Sequence, residues 1–360
     1  MANRRNFPRQ SPASLSESFT RFAELECQGM SDLYYRLSLG IAADNDLLEL
    51  AIQAKSGQPR PNLFFAAVQR LLMDEPDHPL AAFYPHISGG SAPHGGPLPE
   101  DPAPAFRVFC LERQQALTGL LANRMVQTNV VRRCARILPA FAYVNRLGLG
   151  GTLFLIEIGA SAGLNMLLDR YGYDYGEGRV YGNRLSPVQI SSTFRGSQRP
   201  VIPGAIPDLA DRIGVDLNPV ELNDPEETQW LKALVWPERR DELGLLEAAL
   251  KVASEHPPRV VKGDALDLLP GLIDAVPGDQ VPCLIHSHVL NQFPREARVM
   301  FWSLVENRGV NRNLAVISME GVREGEHAAE EVTYFRDGAR TNLRLANSDS
   351  HGYWVEWLVE

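Results

Sequence analysis

Apolar positions recur at helical spacing through the first part of the chain. Residues 16–25 place Phe19, Phe22 and Leu25, together with Ala23, on one helix face. Residues 33–41 and 46–54 repeat the amphipathic pattern, and 62–73 follows a Pro-Arg-Pro entry suited to a helix start. Two further helices are expected over 106–121 and 128–147, the second stopping at Gly148-Leu-Gly-Gly151. Residues 88–104, rich in Gly and Pro, read as a surface loop, and residues 1–13 as a polar lead. Residues 1–150 are therefore expected to form a mainly helical N-terminal domain.

After Gly151 the period changes. Leu153-Phe-Leu-Ile-Glu-Ile158 lacks polar alternation and reads as a fully buried strand, followed by the small-residue turn Gly159-Ala-Ser-Ala-Gly163 and a helix over 164–170. Further strands are expected at 212–216, 259–262, 282–288 and 313–320, with helices over 225–254 (broken near Trp236-Pro237), 265–273 and 294–306. Tyr171, Tyr173, Tyr175 and Tyr181 sit in a glycine-rich excursion that is either a packed hairpin or a pocket wall. The tail reads as short strands joined by turns. Strands alternating with helices imply an α/β fold for residues 151–360: a Rossmann-like, doubly wound, mostly parallel sheet with antiparallel terminal strands.

Composition narrows the function. A net charge of -9 argues against a general binder of nucleic acid or anionic membrane. Four scattered cysteines without a CxxC pair suit a reducing compartment, and no apolar run has the length of a membrane span. A cytoplasmic protein with a small-molecule substrate is the expectation; the oligomeric state is left open.

Ligands of open parallel sheets bind beyond the carboxyl ends of the strands. Each expected strand here ends in a polar candidate: Glu157, Asp216, Asp264, His286 with His288, and Glu320. The first loop lacks the G-x-G-x-x-G spacing of dinucleotide sites and the Gly-Lys-Ser/Thr of phosphate loops. It does fit acid-x-G-x-G-x-G, with Ser161 in place of the middle glycine. Each candidate also has a plain structural role. The loop is small enough to serve packing alone, Asp216 suits a turn cap, and Asp264 suits the N-cap of the next helix. One of His286 and His288 should point inward, and the pair lacks the third ligand a metal would want. Arg132, Arg133 and Arg136 form either a solvated helix face or a contact to an acidic group of the substrate.

Residues 155–165 resemble the first motif of class I S-adenosylmethionine-dependent methyltransferases. Val215-Asp-Leu-Asn-Pro219 resembles their second strand end, and Val261-Lys-Gly-Asp-Ala265 the acid-bearing turn after the third. Gln127-Thr-Asn-Val-Val-Arg-Arg-Cys-Ala135, the first loop and Gly263-Asp264 together resemble a bacterial family of unknown function in which a helical region precedes such a domain. The resemblance implies S-adenosylmethionine as cofactor, held by Glu157, Gly159, Ser161, Gly163 and Asn165. It also implies that Asp216 meets the ribose hydroxyls and Asp264 the adenine amino group. His286, His288 and Asn291 are then the nearest candidates for a base, and Arg132 and Arg133 for substrate contacts. The alternative is a cofactor-binding or regulatory protein that keeps the fold without catalysis.

Overall fold

A computed structural model describes residues 12–89, 100–204, 206, 209–321 and 327–360. Most of the expected lead and most of the Gly/Pro-rich stretch at 88–104 lie outside the described residues. The chain forms two compact units, one of Met1–Thr128 with Pro225–Gly244, the other of Asn129–Asp224 with Leu245–Glu360.

The first unit is helical: α1 (Pro12–Phe22), α2 (Asp32–Ala42), α3 (Asn45–Ala51), α4 (Arg60–Leu72), α5 (Pro85–Ser88), α6 (Ala103–Glu112), α7 (Gln114–Asn123) and α9 (Pro225–Ala233). Its core is aromatic. Phe65 stacks on Tyr34 at 4.2 Å and on Phe22 at 6.0 Å, and Phe19, Phe64 and Phe106 pack edgewise or tilted around them. Leu25, expected on the same face as Phe19 and Phe22, is instead 71% exposed. The helix widens into a π turn over Ala23–Cys27, and the extra residue in that turn rotates Leu25 outward while Cys27 takes the buried position. The helix expected over 106–121 is two helices, broken at Arg113. Segment 225–244 belongs here because it supplies buried partners. Gln69 Nε2 donates to the carbonyls of Ala233 and Val235, Ser31 Oγ to Glu238, and Trp230 Nε1 to the carbonyl of Met125.

The second unit contains α8 (Cys134–Arg146), most of α10 (Arg240–Glu255), α11 (Ala265–Asp274) and α12 (Arg295–Gly309). Its strands are β1 (Thr152–Ile158), β2 (Gly172–Asp174), β3 (Val180–Gly182), β4 (Gln189–Ser191), β5 (Phe194–Arg195), β6 (Leu209–Asp216), β7 (Val260–Lys262), β8 (Gln280–Ser287), β9 (Leu314–Gly321), β10 (His327–Arg336), β11 (Ala339–Asp349) and β12 (Val355–Trp357). Nine of them form one mostly parallel sheet in the order β5-β12-β11-β10-β9-β8-β1-β6-β7. From β1 the chain steps outward through β6 to β7, then returns to the other side of β1 with β8 and β9, all in parallel. The order therefore reverses between β1 and β8. β9 to β12 then pair antiparallel, as the tail pattern predicts. The β10–β11 turn is Asp337-Gly338, both residues at positive φ, as a two-residue hairpin requires.

The sheet is covered on both faces. Ile156, Ile158, Ile213, Val215, Leu284 and Val316 meet Leu269, Ile273, Phe301 and Val305 of α11 and α12. On the other face α8 packs against β9 and β10. The tyrosines take the hairpin reading: Tyr173 pairs with Tyr181 between β2 and β3, and Tyr175 stacks on Phe194 at 4.1 Å.

In the second unit the first loop leads into a different element from the one expected. Residues 164–170 form a 3₁₀ segment kinked at Leu167, not an α-helix. The hydroxyls of Tyr171 and Tyr173 donate to the carbonyls of Leu164 and Leu168, and Arg212 donates to that of Met166. Those carbonyls are therefore engaged from outside the helical ladder. No full helix dipole stands behind the first loop.

Arg132 and Arg136 do not form a solvated face: both are buried. Arg136 and Glu330 of β10 are both fully buried, with Nε donating to Oε1 at 2.8 Å. Arg136 Nη1 also donates to the carbonyl of Ser350. Removing one partner of such a pair leaves a buried charge uncompensated, at a cost of about 3–5 kcal/mol. Arg136→Met alone should lose about that much in urea denaturation, and the Arg136→Met/Glu330→Met double variant should regain most of it. Equal losses in the single and double variants would contradict this role for the pair.

Candidate functional site

The loops after β1 and β8 meet where the strand order reverses. A Cβ built on Gly159 would lie 2.5 Å from Val289 Cγ2, so the backbone after β1 runs against the residue that follows His288. Each loop carries one non-glycine residue in the left-handed region: Ser161 at φ 54° and His288 at φ 55°. Such conformations cost of order 1–3 kcal/mol and persist only where their surroundings impose them. Ser161 Oγ and His288 Nε2 are also buried without a hydrogen-bond partner, as are Glu157 Oε2 and Ser287 Oγ.

The small residues of the first loop serve protein packing. The space beside Gly159 is filled by Val289, that beside Gly163 by Pro258 and Met166, and Ala160 packs on Gly214. The loop's backbone is largely engaged too. Gly159 and Ala160 N–H both donate to the carbonyl of Val215, and Gly163 N–H to that of Ala160.

The acids divide by role. Asp216 accepts from the backbone N–H of Ser161 and of Asn218, both at 2.8 Å, so it holds the strained loop. Asp264 caps α11 by accepting from Leu266 N–H. Glu320 accepts from the N–H groups of Val289, Leu290 and Asn291 and from His286 Nδ1 at 2.7 Å. Glu157 is different. One oxygen accepts from Asn165 Nδ2 at 2.9 Å, and the other has no partner. Cys134 Sγ lies 3.5 Å from Asn165 Oδ1, which ties α8 to this group.

Of the base candidates, His286 is fully buried with both ring nitrogens engaged, by Glu320 and by Ser318. His288 is half-buried and keeps Nε2 unpartnered. Asn291 is exposed on the 3₁₀ turn Leu290–Gln292, its N–H on Glu320. Arg132 is buried, stacked over Tyr353 at 4.4 Å and donating to the carbonyl of Ser191, while Arg133 donates to that of Ser350. The buried pair of Arg136 with Glu330 adds to this region. The Arg132–Arg133–Arg136 cluster signalled its helical half, but nothing local marked Glu330 as the partner.

Burial sets the protonation states. Desolvation, with Asp216 adding to it, pushes the Glu157 carboxyl up to about 8, against the opposing pull of Asn165 and Arg133. Desolvation and the cations Arg133 and Arg136 push His288 down to about 4, against Glu320. Burial alone would raise Glu320; its hydrogen bond with His286 and the backbone donors outweigh that and hold it below the usual range. Near pH 7 the site thus holds a protonated carboxyl and a neutral imidazole.

A family model described as an uncharacterized protein conserved in bacteria (DUF2332) matches residues 16–357, and the chain belongs to that family. No curated protein and no solved structure matches the chain. No described helix is long and apolar enough to cross a membrane.

A carboxyl raised in the folded state gives stability that is full below its unfolded value, near 4.5, and is lost as pH rises through about 8. Wild-type thermal stability should therefore fall between pH 5 and pH 8.5 relative to Glu157→Gln, which keeps an acceptor for Asn165 and has no charge to bury. Parallel melting curves for the two proteins across that range would show that Glu157 ionises freely.

Proposed function

We propose that this member of the family is an S-adenosylmethionine-dependent methyltransferase acting on a small molecule, with its site at the crevice beyond β1 and β8. The observation that carries the reading is the strand order. Numbered by appearance, the parallel strands β7-β6-β1-β8-β9 run 3-2-1-4-5, the Rossmann order, and Glu157, Ser161 and Asp216 stand at the end of its central strands.

The side chains fit such a ligand at its methionine end. Glu157 Oε2 and Ser161 Oγ are buried polar atoms without partners, suited to an ammonium and a carboxylate. Asp216 spends one hydrogen bond on each oxygen and keeps acceptor capacity for ribose hydroxyls. Asp264 is the weakest of the assigned contacts, being an N-cap. Bound S-adenosylmethionine supplies an already activated methyl group, so the chain's share is chiefly alignment. His288, neutral near pH 7, is the group to take a proton from an acceptor that must lose one. Arg132 and Arg133 are assigned to an acidic group of that acceptor, with Asn291 at its exposed rim.

A second reading has its own support. Gly159 and Gly163 pack on Val289, Pro258 and Met166, so the glycines are accounted for without a cofactor. On that reading the protein is a cofactor-binding or regulatory relative without turnover.

Isothermal titration with S-adenosylmethionine and S-adenosylhomocysteine, in two buffers of different ionisation enthalpy, tests the proposal. Saturable binding is expected, with a proton released on binding as Glu157 gives up its proton to face the ligand's ammonium. Glu157→Gln should abolish that release and weaken binding roughly tenfold or more, the worth of a charged hydrogen bond. Absence of binding by the folded protein would sink the methyltransferase reading and leave only a regulatory role; binding without methyl transfer across a broad panel of acceptors would favour the second.

A further inference from the structure

We propose that Glu320 is the positioning residue of the crevice: fixed by His286 and Ser318, it holds segment 288–291 in the conformation that places His288. This rests on the reading of the crevice as a site but not on any particular ligand. The argument begins with register. His286 of β8 pairs directly with Ser318 of β9, and Glu320 lies two residues on, so all three side chains share one face of the sheet. Ser318 Oγ and His286 Nε2 are 2.8 Å apart, and His286 Nδ1 and Glu320 Oε1 2.7 Å. A carboxylate that already collects three backbone N–H groups is an acceptor only, so Nδ1 carries the hydrogen and, in the neutral ring, Nε2 accepts from the Ser318 hydroxyl.

The arrangement of serine, histidine and glutamate has the connectivity of a nucleophilic triad, but burial assigns it another task. His286 is fully buried, edge-on to Phe301, and Ser318 is only 8% exposed. An attacking hydroxyl needs access to a carbonyl carbon and a nearby set of oxyanion donors. Here the backbone N–H groups nearest the acid are spent on it. These donors belong to the residues directly after His288, whose own N–H donates to the carbonyl of Met319 at 2.8 Å. The left-handed backbone at His288 is therefore imposed from β9, one bond from its own amide and three from Glu320.

The test separates positioning from simple electrostatics because the two move His288 in opposite directions. The charged groups acting on His288 are Arg133 from the 3₁₀ turn before α8, Arg136 from α8, Glu320 from β9 and His351 from the turn after β11. Removing the Glu320 charge alone would lower the His288 titration further. Releasing segment 288–291 into solvent would raise it toward the ordinary histidine value near 6.5. NMR on the ligand-free full chain should show, for Glu320→Gln, an upward shift of His288 and at least roughly tenfold faster amide exchange at Val289, Leu290 and Asn291. Ser318→Ala, which removes only the far end of the relay, should give the same changes in smaller degree. A downward shift of His288, unchanged exchange at those amides, or labelling of Ser318 by a fluorophosphonate would overturn the proposal. None of these readouts depends on S-adenosylmethionine binding.

Discussion

The constraint on which the second unit depends is the burial of β1 between two parallel neighbours laid down in opposite directions. A parallel pair needs a crossover, and crossovers keep one hand. A chain that builds β6 and β7 on one side of β1 and β8 and β9 on the other therefore parts its two series at the carboxyl end of β1, the position where open parallel sheets bind ligands. Both loops at that point, 159–163 and 288–291, must turn sharply beside each other, and each does so with one non-glycine residue at positive φ. The backbone is thus shaped by topology before any ligand is considered.

Such turns hold only if something nearby fixes them, and the strand-end acids do this. Asp216 holds Ser161, Glu320 holds the segment after His288, and Asp264 caps α11. Acids gathered at one edge of a sheet are thus largely consumed in anchoring the backbone there. What distinguishes Glu157 is that it anchors so little. It bonds one amide, from Asn165, and leaves its other oxygen buried and empty, which is expensive unless the carboxyl is protonated or a cation arrives. On the proposed reading the chemistry rests on Glu157 and His288, while the other strand-end acids serve the backbone.

Much of the architecture was legible in the sequence because it is written in local periodicity. The helices before residue 128, the apolar strands and the antiparallel tail all follow from it. What was not legible depended on partners far along the chain. Leu25 left its expected face because of one extra residue in a π turn, and 164–170 missed the α-helix because Tyr171, Tyr173 and Arg212 claimed its carbonyls. Residues 129–150 look helical, yet α8 belongs with the sheet, and 225–244 packs within the helical unit. The spacing of Arg136 allows a solvated face or a contact to an acidic substrate group; its partner is instead Glu330, 194 positions away. Glu157, Asp216, Asp264, His286, His288 and Glu320 lie at or just past the ends of β1, β6, β7, β8 and β9. Which of them are occupied by backbone is a matter of three-dimensional hydrogen bonding that spacing does not encode.

The most direct measurement is a crystal structure of the full chain soaked with S-adenosylhomocysteine. The account predicts density at the ends of β1 and β8, with the ligand's ammonium on Glu157, its ribose toward Asp216, and the space beyond its sulfur opening toward His288. Density elsewhere on the chain, or a crevice between 159–163 and 288–291 that stays closed at saturating ligand, would contradict it.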